Sequence, residues 1–145
     1  DPPLVEMMPV TEATPQLKDF HISNVVCDGA ETAIFVRGLP EMNVKEVYLE
    51  NLVLQSKEGM NCTEATGLHL KNIKLITDNT NPVINIHNSK DVSLDKIGFK
   101  NRATLFLKIS GEKSGNIRLL HTETLNARQK AVFSSGATEK SLISE

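Results

Sequence analysis

The sequence predicts an all-β protein that folds as a right-handed parallel β-helix of about five turns. A phrase of alternating apolar and polar residues recurs along the chain. Its copies occupy residues 20–27, 47–54, 68–75 and 92–99. The first three copies carry an Asn at the same place, with steps of 27 and 21 residues between Asn24, Asn51 and Asn72. A period of roughly 20 to 30 residues with one structural unit in each is typical of a solenoid.

Each copy of the phrase predicts two short strands with a sharp corner between them. Apolar residues alternate with polar ones, which places the apolar set on one face of a strand. The Asn interrupts this alternation, and Asn tolerates the left-handed backbone region better than most residues. Leucine-rich repeats have a related pattern, but here the Asn comes one residue earlier and another strand follows at once. The pattern therefore favours a parallel β-helix.

A further strand-like run follows the phrase in most repeats. These runs lie at residues 33–38, 82–87 and 104–109, with a shorter one at 131–133. The corresponding stretch of the second repeat, residues 59–66, is polar and predicts only a weak strand. Pro, Gly, Asn and Asp residues separate the runs, as expected for turns.

The solenoid pattern divides the chain into three parts. Residues 1–16 contain four prolines and predict an extended lead-in. Residues 17–136 hold the turns of the β-helix, and the last turn is degenerate because residues 121–124 replace the corner and the second strand. Residues 137–145 form a polar C-terminal tail. Terminal repeats of solenoids diverge because they must present a polar end to water.

If the three repeats stack in register, Asn24, Asn51 and Asn72 form an internal amide ladder, in which each side chain bonds to the turn above and the turn below. The same register aligns His21, Tyr48 and His69, which occupy one outward slot between apolar neighbours. These rings are candidate contacts for a sugar. The carboxylates Glu46, Glu50 and Asp91 lie in turns or outward slots and are interpreted as solvated surface groups.

The composition of the chain argues against several classes of binding partner. The length indicates one domain, and the net charge is −2 without a basic stripe, which argues against a nucleic-acid partner. No apolar run is long enough to predict a membrane span. No motif predicts a cofactor or a metal site, and no signal peptide is visible.

The sequence resembles the C-terminal part of glycoside hydrolase family 28, the polygalacturonase-like proteins, especially those of bacterial type. The resemblance rests on residues 14–27, on Gly38-Leu39-Pro40-Glu41, and on the phrase Val47-x-Leu49-x-Asn51. It implies a right-handed parallel β-helix in a secreted or periplasmic protein. It also implies that the parent protein binds pectic polysaccharide and hydrolyses α-1,4-linked galacturonan.

The family keeps its catalytic groups in the motifs Asn-Thr-Asp, Asp-Asp, Gly-His-Gly and Arg-x-Lys, which supply the paired carboxylates of an inverting glycosidase. None of them occurs in this sequence, and Asn79-Thr80-Asn81 lacks the acidic residue. No catalytic residue is therefore assigned, and the chain alone is expected to be inactive on pectin. A non-catalytic carbohydrate-binding module or a structural β-helix is the alternative. The first turn of the solenoid would expose apolar groups at an open N-terminal end. Either residues 1–16 fold over this end as a cap, or two molecules meet there end to end, and self-association is the favoured expectation.

Overall fold

The computed structural model describes residues 20–99 and 102–145, apart from the side chains of Phe20 and Cys27. The predicted lead-in of residues 1–16 lies outside this part. The strands are β1 (Phe20–Arg37), β2 (Val44–Thr63), β3 (Ala65–Thr77), β4 (Ile84–His87), β5 (Lys90–Phe99), β6 (Ala103–Ser110), β7 (Gly115–Leu120), β8 (Ala127–Ser134) and β9 (Leu142–Ser144). A single turn of 3₁₀-helix, Glu139–Ser141, precedes β9.

The strands form a parallel β-solenoid of about five turns, which confirms the predicted fold class. The first face contains the N-terminal parts of β1 and β2, followed by β3, β5, β7 and β9. The second face contains the C-terminal parts of β1 and β2, followed by β4, β6 and β8. Strands β1 and β2 serve both faces because each continues through its corner, and their pairing contains one register shift, between Asp28 and Ala30.

The corner that follows residues 47–50 of β2, and the equivalent segment in the other turns, is one residue in the left-handed region. Asn24, Asn51 and Asn72 have φ angles of 60°, 59° and 56°. Lys96 and His121 continue the column with φ angles of 55° and 49°. Such angles are unfavourable for most side chains, and Asn tolerates them best among residues other than Gly. The prediction of a one-residue Asn corner is therefore confirmed, and the corner persists where Asn is replaced.

A second column of left-handed residues lies at the other end of the first face. It consists of Glu46, Gly67, Asp91 and Asn116, whose φ angles lie between 47° and 82°. The four residues between the two columns form a straight segment, for example residues 47–50 in β2. The residues of this segment pair in the same order on successive turns, so their outward side chains lie directly above one another.

The core fills the space inside the turns with stacked aliphatic side chains. Leu49, Leu70 and Leu94 occupy one column in adjacent strands, and each is at most 1% exposed. Burial of a Leu side chain contributes about 1.5–3 kcal/mol. Each leucine contacts the turns on both sides, so the stability of one turn depends on its neighbours.

The second repeat is more regular than its sequence indicated. Residues 60–63 of β2 pair with all four residues of β4, and Met60 and Cys62 are buried. The prediction of a weak strand was wrong because Met60 and Cys62 still alternate with outward-facing polar residues. Part of the C-terminal tail also joins the sheet, since β9 pairs with β7.

Candidate functional site

The three corner asparagines are joined by side-chain hydrogen bonds. Asn51 Nδ2 donates to Asn24 Oδ1 at 3.1 Å, and Asn72 Nδ2 donates to Asn51 Oδ1 at 2.8 Å. All three side chains are exposed, so the ladder is not internal as the sequence indicated. The left-handed residue shifts the alternation by one position, which leaves both Glu50 and Asn51 outside between buried Leu49 and Leu52. The ladder is therefore a surface element of the corner.

The candidate sugar contacts His21, Tyr48 and His69 form a continuous stack of rings on the first face. The centroids of His21 and Tyr48 are 4.6 Å apart with an interplanar angle of 5°. Those of Tyr48 and His69 are 4.7 Å apart at 20°. Because the rings cover one another, a sugar lying across this face would meet their edges. The stack therefore offers little ring face to a sugar.

Polar groups surround the His69 end of this stack. His69 Nδ1 lies 2.9 Å from Ser93 Oγ, and His69 Nε2 lies 3.7 Å from Glu46 Oε1. The Tyr48 hydroxyl donates to the same Glu46 oxygen at 2.9 Å. Gly67 lies beneath the Glu46 carboxylate, at a place where any Cβ would overlap it. The structure therefore brings together a hydroxyl, an imidazole and a carboxylate on three successive turns.

The second face carries a polar cleft of about 190 Å³. Its walls include Thr32, Glu58, Asn61, Asn85 and Lys108. Asn85 Nδ2 donates to Asn61 Oδ1 at 3.0 Å, which fixes the two amides in a short ladder. Lys108 follows Asn85 on the next turn, and within the described residues no carboxylate forms an ion pair with it. The cleft thus combines amide groups with an ammonium group open to an anion.

A buried polar network lies at the end of the second face. Ser89 Oγ accepts from the Ala65 N–H at 3.1 Å and donates to the His87 carbonyl at 2.9 Å. Cys62 Sγ lies 3.5 Å from the same hydroxyl. Burial raises the pKa of the Cys62 thiol to about 12, although the hydrogen bond with Ser89 favours the thiolate. This cysteine is a packed core residue and a poor nucleophile.

Metal and membrane sites have no support in the described ranges. Residues 20–99 and 102–145 contain no group of three or more His, Cys, Asp or Glu side chains placed to hold a metal ion. In the same part of the chain, no helix has the length and apolar character needed to cross a bilayer.

Comparison of the chain with models of protein families, with curated proteins and with solved structures finds no match.

The outward slot of His69 is visible in the sequence, but its contacts with Ser93 and Glu46 are not. A signal was present, because Ser93 occupies the same slot one repeat later. The contact between Glu46 and His69 is not visible in the sequence. The Glu46 side chain reaches His69 because Gly67, the corner residue of the next turn, has no Cβ to block it.

Proposed function

We propose that this chain is the C-terminal β-solenoid portion of a polygalacturonase-like pectin hydrolase, and that it binds pectic polysaccharide without cleaving it. The observation that carries the proposal is the cleft on the second face, where the Asn61 and Asn85 amides adjoin the Lys108 ammonium. Amides match sugar hydroxyls, and an unpaired cation attracts the carboxylates of an acidic polysaccharide. The sequence resemblance adds the substrate class.

The lack of cleavage follows from the acidic residues near the cleft. An inverting glycosidase needs two carboxyl groups about 6.5–9.5 Å apart on opposite sides of the glycosidic bond. Glu58 is the acidic residue in the cleft lining, and its Oε1 accepts a hydrogen bond from Asn79 Nδ2 at 2.7 Å. A single carboxylate held by an amide cannot serve as both acid and base.

The binding experiment uses the 145-residue chain and polygalacturonate, with dextran as the neutral control polymer. Binding to polygalacturonate should weaken as salt rises, because screening reduces the attraction of the Lys108 ammonium for carboxylates. Lys108→Ala should lower the affinity about threefold to fivefold, the effect of losing one partly exposed ion pair. Lys74→Ala is the matched control, since Lys74 is an exposed lysine on the strand that follows the asparagine corner.

Equal losses for Lys108→Ala and Lys74→Ala would contradict the cleft assignment. Equal binding to dextran would contradict a preference for acidic chains.

The chain should release no reducing sugar from polygalacturonate. In the source polypeptide, the sequence upstream of Asp1 is expected to carry the four catalytic motifs of the family, and their absence there would favour the structural alternative.

A further inference from the structure

The polar cluster around His69 has the parts of a serine hydrolase. We propose that Ser93, His69 and Glu46 form a second site, on the first face, that hydrolyses small O-acyl esters such as an acetyl group on a sugar hydroxyl. This activity is distinct from glycosidic cleavage and does not depend on the cleft of the second face.

Ser93 and His69 meet the requirement for a nucleophile and its base. They are direct neighbours on the paired strands β5 and β3, and Ser93 Oγ lies 2.9 Å from His69 Nδ1. This distance falls within the range of about 2.6–3.2 Å that allows proton transfer. Ser93 is half-buried and the His69 side chain is 34% exposed, so an ester can reach the hydroxyl.

Glu46 is held where it can stabilise a protonated His69. Its Oε1 lies 3.7 Å from His69 Nε2 and accepts the Tyr48 hydroxyl at 2.9 Å. The Tyr48 ring also stacks on the imidazole, which fixes the plane of the base. Hydrogen bonds between catalytic groups are often long in the free protein and shorten when substrate binds. The 3.7 Å between Glu46 Oε1 and His69 Nε2 is a separation that can shorten in this way when substrate binds.

Arg118 supplies a positive group beside the nucleophile. It occupies the same slot as Ser93 on the next turn, in β7. Its Nη2 lies 3.4 Å from Glu145 Oε2, and its side chain is 46% exposed. A guanidinium at this place can face the oxyanion that develops when the hydroxyl attacks a carbonyl.

The reaction balances without another reactant besides water. Ser93 Oγ attacks the acyl carbon while its proton passes to His69 Nδ1. The ester C–O bond then breaks, and the leaving alcohol takes the proton from His69. Water next gives a proton to His69 and attacks the acyl-serine. Release of the carboxylic acid returns the proton to Ser93 Oγ, so one ester and one water yield one acid and one alcohol.

The chain contains a second Ser–His pair that serves as an internal control. Ser110 Oγ lies 2.7 Å from His87 Nδ1, but Ser110 is only 8% exposed. The outer nitrogen of His87 faces the Asn88 amide at 3.2 Å instead of a carboxylate. This pair has hydrogen-bond geometry similar to that of Ser93 and His69, but it lacks the access and the acid.

The test measures hydrolysis of p-nitrophenyl acetate by the 145-residue chain. The wild-type chain should exceed the buffer rate, and Ser93→Ala and His69→Asn should each reduce the excess rate about 100-fold or more. Glu46→Gln should reduce it about tenfold, and Ser110→Ala should leave it unchanged. A wild-type rate equal to buffer would overturn the proposal, as would a Ser93→Ala rate equal to wild type.

A labelling experiment makes the test independent of variant folding. A fluorophosphonate should modify the wild-type chain at Ser93, which peptide mass mapping would show as one added phosphonyl group on the peptide that contains Ser93. The rate of p-nitrophenyl acetate hydrolysis should fall in proportion to the fraction of Ser93 that carries the label. Labelling elsewhere, or loss of activity without label on Ser93, would overturn the assignment of the nucleophile.

Discussion

The corner asparagines combine two properties that a single residue type seldom supplies together. The side chain tolerates φ angles near 60°, and its amide has both a donor and an acceptor for the adjacent turns. The recurrence of Asn made the corner predictable from the sequence. Its exposure was also encoded, because buried Leu49 and Leu52 are three positions apart and leave two outward residues between them.

Substitution of Asn51 can separate these two properties. Asn51→Gly keeps the left-handed corner and loses two exposed hydrogen bonds, so the free energy of unfolding should fall by about 1 kcal/mol. Asn51→Ala also replaces a side chain that tolerates the left-handed region with one that does not, and should cost about 2 kcal/mol in total. Urea denaturation of each variant measures both values.

Lys96→Ala is the control for the ladder. Lys96 occupies the same corner in the next repeat with a φ angle of 55°. Lys and Ala are both poorly suited to the left-handed region. Lys96→Ala should therefore change the free energy of unfolding by about 0.5 kcal/mol or less. A loss at Lys96 equal to that of Asn51→Ala would show that the amide hydrogen bonds do not contribute.

Cys62 gives the protein a predictable alkaline instability. Burial raises the pKa of its thiol to about 12, whereas an unfolded cysteine has a pKa of about 8.5. Below pH 8.5 both states hold the proton, and above it the unfolded thiol ionises while the folded thiol does not. The free energy of unfolding should therefore fall by about 2–3 kcal/mol between pH 8.5 and 10.5.

Cys62→Ala should lose less stability over the same pH interval, because the remaining decline comes from other groups. Urea denaturation at each pH measures the difference between the two proteins. An identical decline in Cys62→Ala would mean that the buried thiol is not the group responsible.

At the scale of elements, the close approach of adjacent turns limits which residues fit at certain positions within a strand. Gly59 lies at such a place in β2, where a Cβ would overlap the carbonyl oxygen of Val83. Val83 directly precedes β4, so the absence of a side chain at Gly59 lets β4 lie close to β2 on the second face. The sequence showed this Gly only as part of a polar stretch, since a close backbone approach between distant residues has no local signature.

Gly59→Ala should destabilise the protein by about 1–3 kcal/mol, because the Val83 backbone must move to accept the methyl group. Gly115→Ala is the matched control, as nothing lies within 4 Å of a Cβ built there. Thermal denaturation of both variants provides the comparison. Equal destabilisation by Gly115→Ala and Gly59→Ala would show that contact with the Val83 backbone is not the cause.

Strand pairing across the molecule was predictable where the repeat is regular and less so where it degenerates. The register of Leu49, Leu70 and Leu94 follows directly from the recurring phrase. The pairing of β9 with β7 could not be read in the same way, because residues 142–144 lack the corner that marks the other repeats. The Ser93–His69–Glu46 cluster was missed for a related reason, since it depends on how far a side chain reaches between turns.

At the scale of the whole molecule, the two ends of the solenoid differ in their side chains. The last strand of the second face, β8, exposes Arg128, Gln129 and Lys130. Charged residues on a terminal strand oppose pairing with another molecule. The first turn instead exposes Val26, which is 77% accessible, beside Val53 at 38%. Among the described residues, β1 pairs only with β2.

We therefore expect two copies of the chain to associate through their β1 strands, because a C2 dimer there would bury both copies of Val26 in one contact. Light scattering should show a mean mass that rises with concentration. Val26→Lys should shift this rise to higher concentration by placing a charge on the terminal strand. Leu125→Lys is the control, since Leu125 is 88% exposed but lies outside β1. A constant monomer mass, or an equal shift for both variants, would rule out association through β1.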